Sequence, residues 1–590
     1  MNFSKRPFTV TAAAVATVLV FGTAACSSGG NSPAGSTGGA VATVSNTAPT
    51  AAGGDTGGSA PDGKPVWPDD GTSPPPVPVI DFHPCSSVDD GRCGTAAVPL
   101  DYRDPDGDAI AIDVAVIDAA DPDSRRGAIF VNPGGPGESA IGHLTRFREV
   151  LGPQITDRFD LVAVDPRGVG ISSQARCWST ATPPDYIDQA PSTDDEIKVW
   201  IDNNKYENAA CATSGVPIIN HVSTANVARD MDLVRRALGL DELNFVGLSY
   251  GTVVGATYRS LFPDTTRAMI LDGVVDPVAW TSGGDDPTIP VSVRTGTAKA
   301  AHQSLLALLD ACETAGPDRC RHATTIRREW QQTTDALRHG PVQAGLDTVS
   351  LTSLVFSAVA LQYDPDDAQA LIDMIHDTYR QVIEGESYVA PPPPATGDTG
   401  GWQSPTAPAA APAASDDAPQ PQSAPEHTAD GRRIVPATRS QPDDAVWWDT
   451  FTQQAPMCAD ARNPDSYQAW VDYSNSPEAL ANPFTGVWLW NSSLCARWPG
   501  TDPDAYRGPF DTATATGPLV VGNTHDNATG LDQAEAVAAA IPGAVLVTVD
   551  SFGHTGIDKS ACALSVATDY LVDLSLPADG TVCPADKQPF

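Results

Sequence analysis

Cationic side chains are scarce in this chain: 35 Lys and Arg stand against 73 Asp and Glu, a net charge of -38. A surface this negative repels phosphate backbones, which excludes nucleic acid as a partner. None of the 11 cysteines stands in a CxxC pair of the zinc or redox kind, and nothing in the sequence implies a metal or organic cofactor. No internal repeat is found, which removes solenoids and propellers from consideration. The apolar run "TVTAAAVATVLVFGTAA" near the amino terminus is shorter than a membrane span.

That run follows Lys5 and Arg6 and ends in two alanines before Cys26, the layout of a secretory signal with a small-residue cleavage site. "TAAC" also resembles a bacterial lipobox, which implies a signal peptide over residues 1–25 and a lipid on Cys26. Residues 26–78 are rich in Gly, Ser, Thr, Ala and Pro and read as a flexible tether. The expected location is therefore extracytoplasmic, lipid-anchored to the outer face of the cell membrane or envelope, with simple secretion as the alternative. With Cys26 set aside, an even ten cysteines remain, and disulfides are the better reading for an exported chain. Near-neighbour pairing (85 with 93, 177 with 211, 312 with 320, 458 with 495, 562 with 583) is one of many connectivities that sequence allows.

From about Asp81, short β-branched runs alternate with helical stretches, which predicts an α/β fold with a mainly parallel sheet. Strands are expected at Ala128–Asn132, Phe159–Asp165, Leu243–Leu248, Arg267–Gly273, Pro518–Asn523 and Ala544–Asp550, each a near-continuous apolar run of the kind buried on both faces. Residues 79–275 and 496–590 thus form a core in two parts. Between them, 276–495 carries helical patterns and reads as an inserted cap, with a disordered loop over about 389–432.

Within the core, "STANVARDMDLVRRALGL" has the apolar spacing of a helix, and it leads through a strand into "GLSYG" and a second helix. Strand, tight turn and helix are what a nucleophile elbow needs, so Ser249 is expected to be held above the sheet on a strained turn. A serine hydroxyl needs a base, and the base needs an orienting acid. His554 follows the last expected strand and Asp526 lies on the loop before it, giving the chain order Ser249, Asp526, His554. His525 is a weaker base, because the adjacent Asp526 cannot easily pair with it; Asp272 is the alternative acid. The oxyanion donors are expected from the N–H of Tyr250 and from Gly134 and Gly135 in "VNPGGPGES".

Together "NPGGPGES", "VDPRGVGISS", "ARDMDLVRRALGLDELNFVGLSYGT", "LDGVVDP", "MCADARNP" and "CARWPG" closely resemble the secreted actinobacterial tripeptidyl aminopeptidase-like hydrolases, relatives of proline iminopeptidase. The mycobacterial cell-envelope serine hydrolases belong to the same group. The resemblance implies an α/β-hydrolase fold with a large inserted helical cap, and release of short peptides from substrates with a free amino terminus. Two departures stand out: the acid loop reads "DNATG" where these relatives usually have Asp-Pro-x-Thr-Pro, which predicts a looser loop, and Asn132 stands where proline iminopeptidases have histidine. An aminopeptidase must also hold the substrate ammonium, and Glu138 and Asp460 are candidates for that contact. The alternatives are a carboxylesterase or lipase with the same triad, and a non-catalytic envelope lipoprotein that retains the fold.

Overall fold

The computed structural model describes residues 75–590 apart from 171–173, 186, 188, 189, 216, 283, 285, 286, 345, 346, 386–426, 429, 437–444, 449 and 450. Cys26, the tether up to residue 74 and most of the expected loop lie outside the described residues. Nine strands carry the main sheet: β1 (Gly91–Pro99), β2 (Ala109–Ile117), β3 (Gly127–Asn132), β4 (Phe159–Val164), β5 (Leu243–Leu248), β6 (Thr266–Asp272), β7 (Leu519–His525), β8 (Val545–Phe552) and β9 (Thr581–Pro584). They lie in the order β1-β2-β4-β3-β5-β6-β7-β8-β9, with the short strand His83–Pro84 outside β1. From β4 to β9 neighbours run parallel; β1 and β2 form an antiparallel hairpin along one edge.

The sheet separates two apolar layers because side chains alternate across it. Leu243, Phe245, Met269 and Leu271 enter one layer, whereas Val246, Leu248, Ala268 and Ile270 enter the other. Helices α1 (Ala140–Thr156), α2 (Asp194–Ser214), α3 (Thr224–Ala237) and α4 (Gly251–Leu261) occupy the first part of the chain. Val227, Met231 and Val234 of α3 face the first layer, and Leu144, Phe147 and Leu151 of α1 face the second.

The inserted segment is helical, with α5 (Thr297–Ala315), α6 (Ile326–Leu337), α7 (Leu351–Leu361), α8 (Ala368–Val382) and α9 (Phe451–Asp460). Leu305, Leu309, Trp330, Leu354, Val355, Leu371 and Ile375 form its own core, which Phe552 of β8 joins from the sheet. The boundary expected at 275 needs correction. Cys177–Ser179 pairs antiparallel with Val446–Trp448, and Trp200 of α2 meets Trp490 edge to face, so this short strand and α2 pack with the cap. These residues are polar enough between their aromatics to read as a loop and a surface helix, which hid their partner from the sequence. Arg432, assigned by composition to the loop, is held as well: it is buried and donates to Pro105 O, and just beyond it Ile434 bridges Ala109.

After the cap the chain returns through β7, α10 (Leu531–Ala540), β8 and α11 (Ala561–Asp573) to β9. All five disulfides join the near-neighbour pairs expected from sequence. No helix among the described residues is long and apolar enough to cross a membrane.

Candidate active site

The carboxyl ends of the parallel strands lie along one edge, and between β3 and β5 the chain changes the side to which it grows. In an open α/β sheet this is where ligands bind. Ser249 follows β5 there with φ of 56°, in the left-handed region that costs a non-glycine residue about 1–3 kcal/mol. The turn is held from both sides: Ser249 N–H donates to Asp272 O (3.0 Å), and Thr252 Oγ1 donates to Ser249 O (2.6 Å). A Cβ at Gly247 would stand 2.4 Å from Gly251 O, and one at Gly251 would stand 2.6 Å from Asn132 O. The two glycines of GxSxG are there for space.

Asp526 follows β7 and is buried; its Oδ1 accepts the N–H groups of Ala528 and Thr529, each at 2.8 Å. Thr529 Oγ1 donates to Oδ2 (3.1 Å). His554 follows β8 and faces this carboxylate through Nδ1, 3.0 Å from Oδ1 and 2.9 Å from Oδ2. Burial alone would raise the Asp526 carboxyl, but the imidazole and the two N–H donors outweigh it and hold the group below its ordinary value. The acid loop is therefore not loose: hydrogen bonds do the work of the missing prolines.

The imidazole lies against Gly273, where a Cβ would come within 2.8 Å of Cε1. Gly273 follows Asp272, whose carbonyl holds Ser249, so Ser249 and His554 are both seated at the carboxyl end of β6. His554 Nε2 is buried without a hydrogen-bond partner, and no bond closes between it and Ser249 Oγ. Such contacts are often long without substrate and tighten in the complex. His525 does not take the base position; its ring stacks on Phe552. Asp272 does not reach His554 Nδ1 either. Its carboxylate accepts Gly556 and Ile557 N–H groups at 2.8–3.0 Å, fixing the chain just after the histidine, and burial pushes it up to about 7.

Gly134 and Gly135 follow β3 and cross over the elbow. A Cβ on Gly134 would lie 2.8 Å from Ser249 Cβ and 3.0 Å from Tyr250 N. Gly134 N–H, however, donates to Asn132 Oδ1 (3.0 Å), which corrects its assignment as an oxyanion donor. It supplies the close approach, and Asn132 fastens it. The N–H groups of Tyr250 and Gly135 have no acceptor among the described residues and remain available.

The two ammonium candidates separate clearly. Asp460 is 1 % exposed and fully engaged: Thr224 N–H (2.8 Å) on Oδ1, Thr224 Oγ1 (2.5 Å) and Trp280 Nε1 (3.0 Å) on Oδ2. It caps the amino terminus of α3 and cannot also meet a substrate, which corrects that assignment. Glu138 is half-buried beside Gly135, with no ion pair or hydrogen bond among the described residues. Burial raises its carboxyl and His143 partly offsets this. Tyr363, which sequence reasoning missed, completes the neighbourhood from the cap: burial and then the charges of Asp526 and Glu138 push its phenol up. Nothing in "LQYDP" signals that position, because only the cap's fold delivers it. No group of three or more metal-ligating side chains occurs among the described residues.

The arrangement suits nucleophilic acyl transfer. Family models match in two blocks: the α/β hydrolase fold over residues 127–290, which holds the glycine loop and Ser249, and the TAP-like protein over 481–583, which holds Asp526 and His554. The chain is 38% identical over 211 residues to serine protease Hip1 of Mycobacterium tuberculosis, covering 34% of this chain but only 40% of Hip1. It is 26% identical over 528 residues to the tripeptidyl aminopeptidase of Streptomyces coelicolor, 84% of each protein. Carboxylesterase B of M. tuberculosis is 30% identical over 516 residues, 84% of this chain and 87% of that protein. With its ordered motifs, parallel sheet and elbow, this chain belongs to the α/β-hydrolase family of serine hydrolases, in the group whose C-terminal segment is TAP-like.

Proposed function

We propose that this protein is an exported, lipid-anchored serine peptidase that releases short peptides, of the tripeptidyl type, from substrates with a free amino terminus. The observation that carries the peptide reading is Glu138, a half-buried carboxylate beside the oxyanion loop that takes part in no hydrogen bond among the described residues and whose burial His143 offsets only in part. A substrate ammonium would supply the missing charge. Ser249 Oγ attacks the peptide carbonyl while His554 Nε2 takes its proton and returns it to the leaving amine. Asp526 holds the imidazole in the productive tautomer, and the N–H groups of Tyr250 and Gly135 receive the oxyanion. Water then releases the acyl group by the same proton path. The cap closes the far end of the cleft, and lipid on Cys26 keeps the body at the outer face of the membrane.

A panel of tripeptide and acyl-ester chromogenic substrates tests the reading. Release from free-N-terminus tripeptides, and none from their N-acetylated forms, supports it. Ester turnover without release from any such peptide favours an esterase, the reading that the likeness to Carboxylesterase B supports. A folded protein that no fluorophosphonate labels would instead be a non-catalytic lipoprotein. For the anchor, Cys26→Ser should move the protein from the membrane fraction to the medium, and unchanged partition would remove that part of the proposal.

A further inference from the structure

The acid loop carries Asn527 where the resemblance leads one to expect proline. Asn527 is fully buried, and its Nδ2 donates to Val359 O (3.2 Å) near the end of cap helix α7. Four residues further on, Tyr363 O accepts the backbone N–H of His554 (3.1 Å). The two backbones touch there: a Cβ on Gly553 would stand 2.4 Å from Tyr363 O. The Tyr363 ring meets the imidazole edge to face, with centroids 5.5 Å apart and planes at 81°. From α5, Ser304 Oγ donates to His525 O (2.9 Å), and on the core side Lys559 Nζ donates to His554 O (2.6 Å).

The last carbonyls of a helix lack the regular i+4 donor; Val359 O takes Gln362 N–H (3.2 Å) and has a second lone pair left for Asn527. Here the end of one cap helix serves both the loop that bears the acid and the loop that bears the base. We propose that the C-terminal turn of α7 and the bend that follows it, through Val359 and Tyr363, form a positioning element of the catalytic apparatus, so that the seating of the cap sets the reactivity of Ser249. The proposal rests on Ser249 being a nucleophile activated by His554. Catalytic groups held about 1 Å from the productive geometry can lose about 10²-fold in rate, which gives these ties leverage well beyond their own strength.

The test uses the purified full chain and a small fluorophosphonate probe, with kinact and KI measured separately. Labelling of the wild type that disappears in Ser249→Ala establishes the underlying reading. Asn527→Ala and Tyr363→Ala should each lower kinact by about 10- to 100-fold with KI within about twofold of wild type. Tyr363→Phe keeps both ring and carbonyl and should restore kinact to within about threefold. If kinact stays within about twofold of wild type in both alanine variants, or if the loss falls in KI alone, the proposal is overturned while the serine hydrolase reading stands. Where one variant does not fold, the other carries the test, and where neither folds, Tyr363→Leu, which keeps apolar bulk without the ring, carries it: a lowered kinact supports the proposal and an unchanged one overturns it. A folded wild type that does not label removes the reading, and the proposal with it.

Discussion

His554 and Asp526 meet through one nitrogen and two oxygens, with Nδ1 3.0 and 2.9 Å from Oδ1 and Oδ2, and this leaves Nε2 buried and without a partner. An imidazole fixed this way presents a lone pair to the nucleophile only while the acid holds its tautomer. Asp526→Asn should lower kcat by about 10⁴-fold with little change in KM, and Ser249→Ala by about 10⁶-fold. Steady-state kinetics on whichever substrate the panel identifies decides this. A tenfold effect for Asp526→Asn would mean that another acid orients the ring.

Gly134 contributes space and Asn132 holds it. Adding a methyl group at Gly134 would place carbon 2.6 Å from Leu248 O at a φ of 104°. Gly134→Ala should therefore displace the loop and cost about 10²- to 10³-fold in kcat, the size of a lost oxyanion donor. A variant with wild-type kcat and an unchanged melting temperature would show that the loop moves freely and that the oxyanion site lies elsewhere.

The two acids proposed from sequence for the ammonium now predict opposite outcomes. Glu138→Gln should raise KM for free-N-terminus peptides by roughly 10- to 100-fold, the worth of a hydrogen bond to a charged group, and leave ester turnover unaffected. Asp460→Asn should destabilise the fold by about 1–3 kcal/mol, because it removes acceptors from Thr224 and Trp280, and leave KM alone. Equal KM effects in the two variants would return Asp460 to the substrate site.

Several buried carboxyls are pushed upward by burial: Glu207 and Asp272 to about 7, Asp165 and Asp460 to about 6. Each binds its proton more tightly folded than unfolded, where carboxyls titrate near about 4. These carboxyls therefore contribute stability that is lost as pH rises through roughly pH 4 to 7, while His221, His302, His322 and His525, held low by burial, act in the opposite sense. Asp526, held low, likewise acts in the opposite sense and costs stability only as pH falls below about 4. Thermal unfolding should show a higher melting temperature at pH 5.5 than at pH 8. Glu207 makes no hydrogen bond among the described residues, so Glu207→Gln should flatten that slope and stabilise the protein at pH 8 by roughly 2–3 kcal/mol. A melting temperature that rises from pH 5.5 to 8 would contradict the assignment.

Six of the parallel strands, β3 to β8, were legible because each is a near-continuous apolar run, and the order of the candidate triad followed from where those runs end; β9, only "TVCP", was too short to read. The edge hairpin was not, since "GRCGTAAVP" is rich in Gly and Ala and has little of the β-branched signal. The VDPRG and ARDMD motifs drew attention as family marks, yet their charged members are structural. Arg167 and Asp230 form a fully buried pair at 2.7 Å, with the remaining guanidinium donors on the carbonyls of Pro99, Leu100 and His221. Asp460 misled for a related reason: an acid in a recognisable motif reads alike whether it faces a cleft or a helix end. Tyr363 and Val359 could not be found at all, because their roles depend on how a helix some 170 residues upstream of Asp526 lies against its loop.

Each of the five disulfides joins a cysteine to the next one along the chain, and in space each stays within the core or within the cap. As a polypeptide emerges amino end first, the first thiol of each pair meets its correct partner before any later cysteine has appeared, Cys26 being set aside by its expected lipid. Oxidation in order of synthesis then reaches the native set without reshuffling. The fit between cap and core, on which the triad's geometry depends, is left to reversible contacts alone.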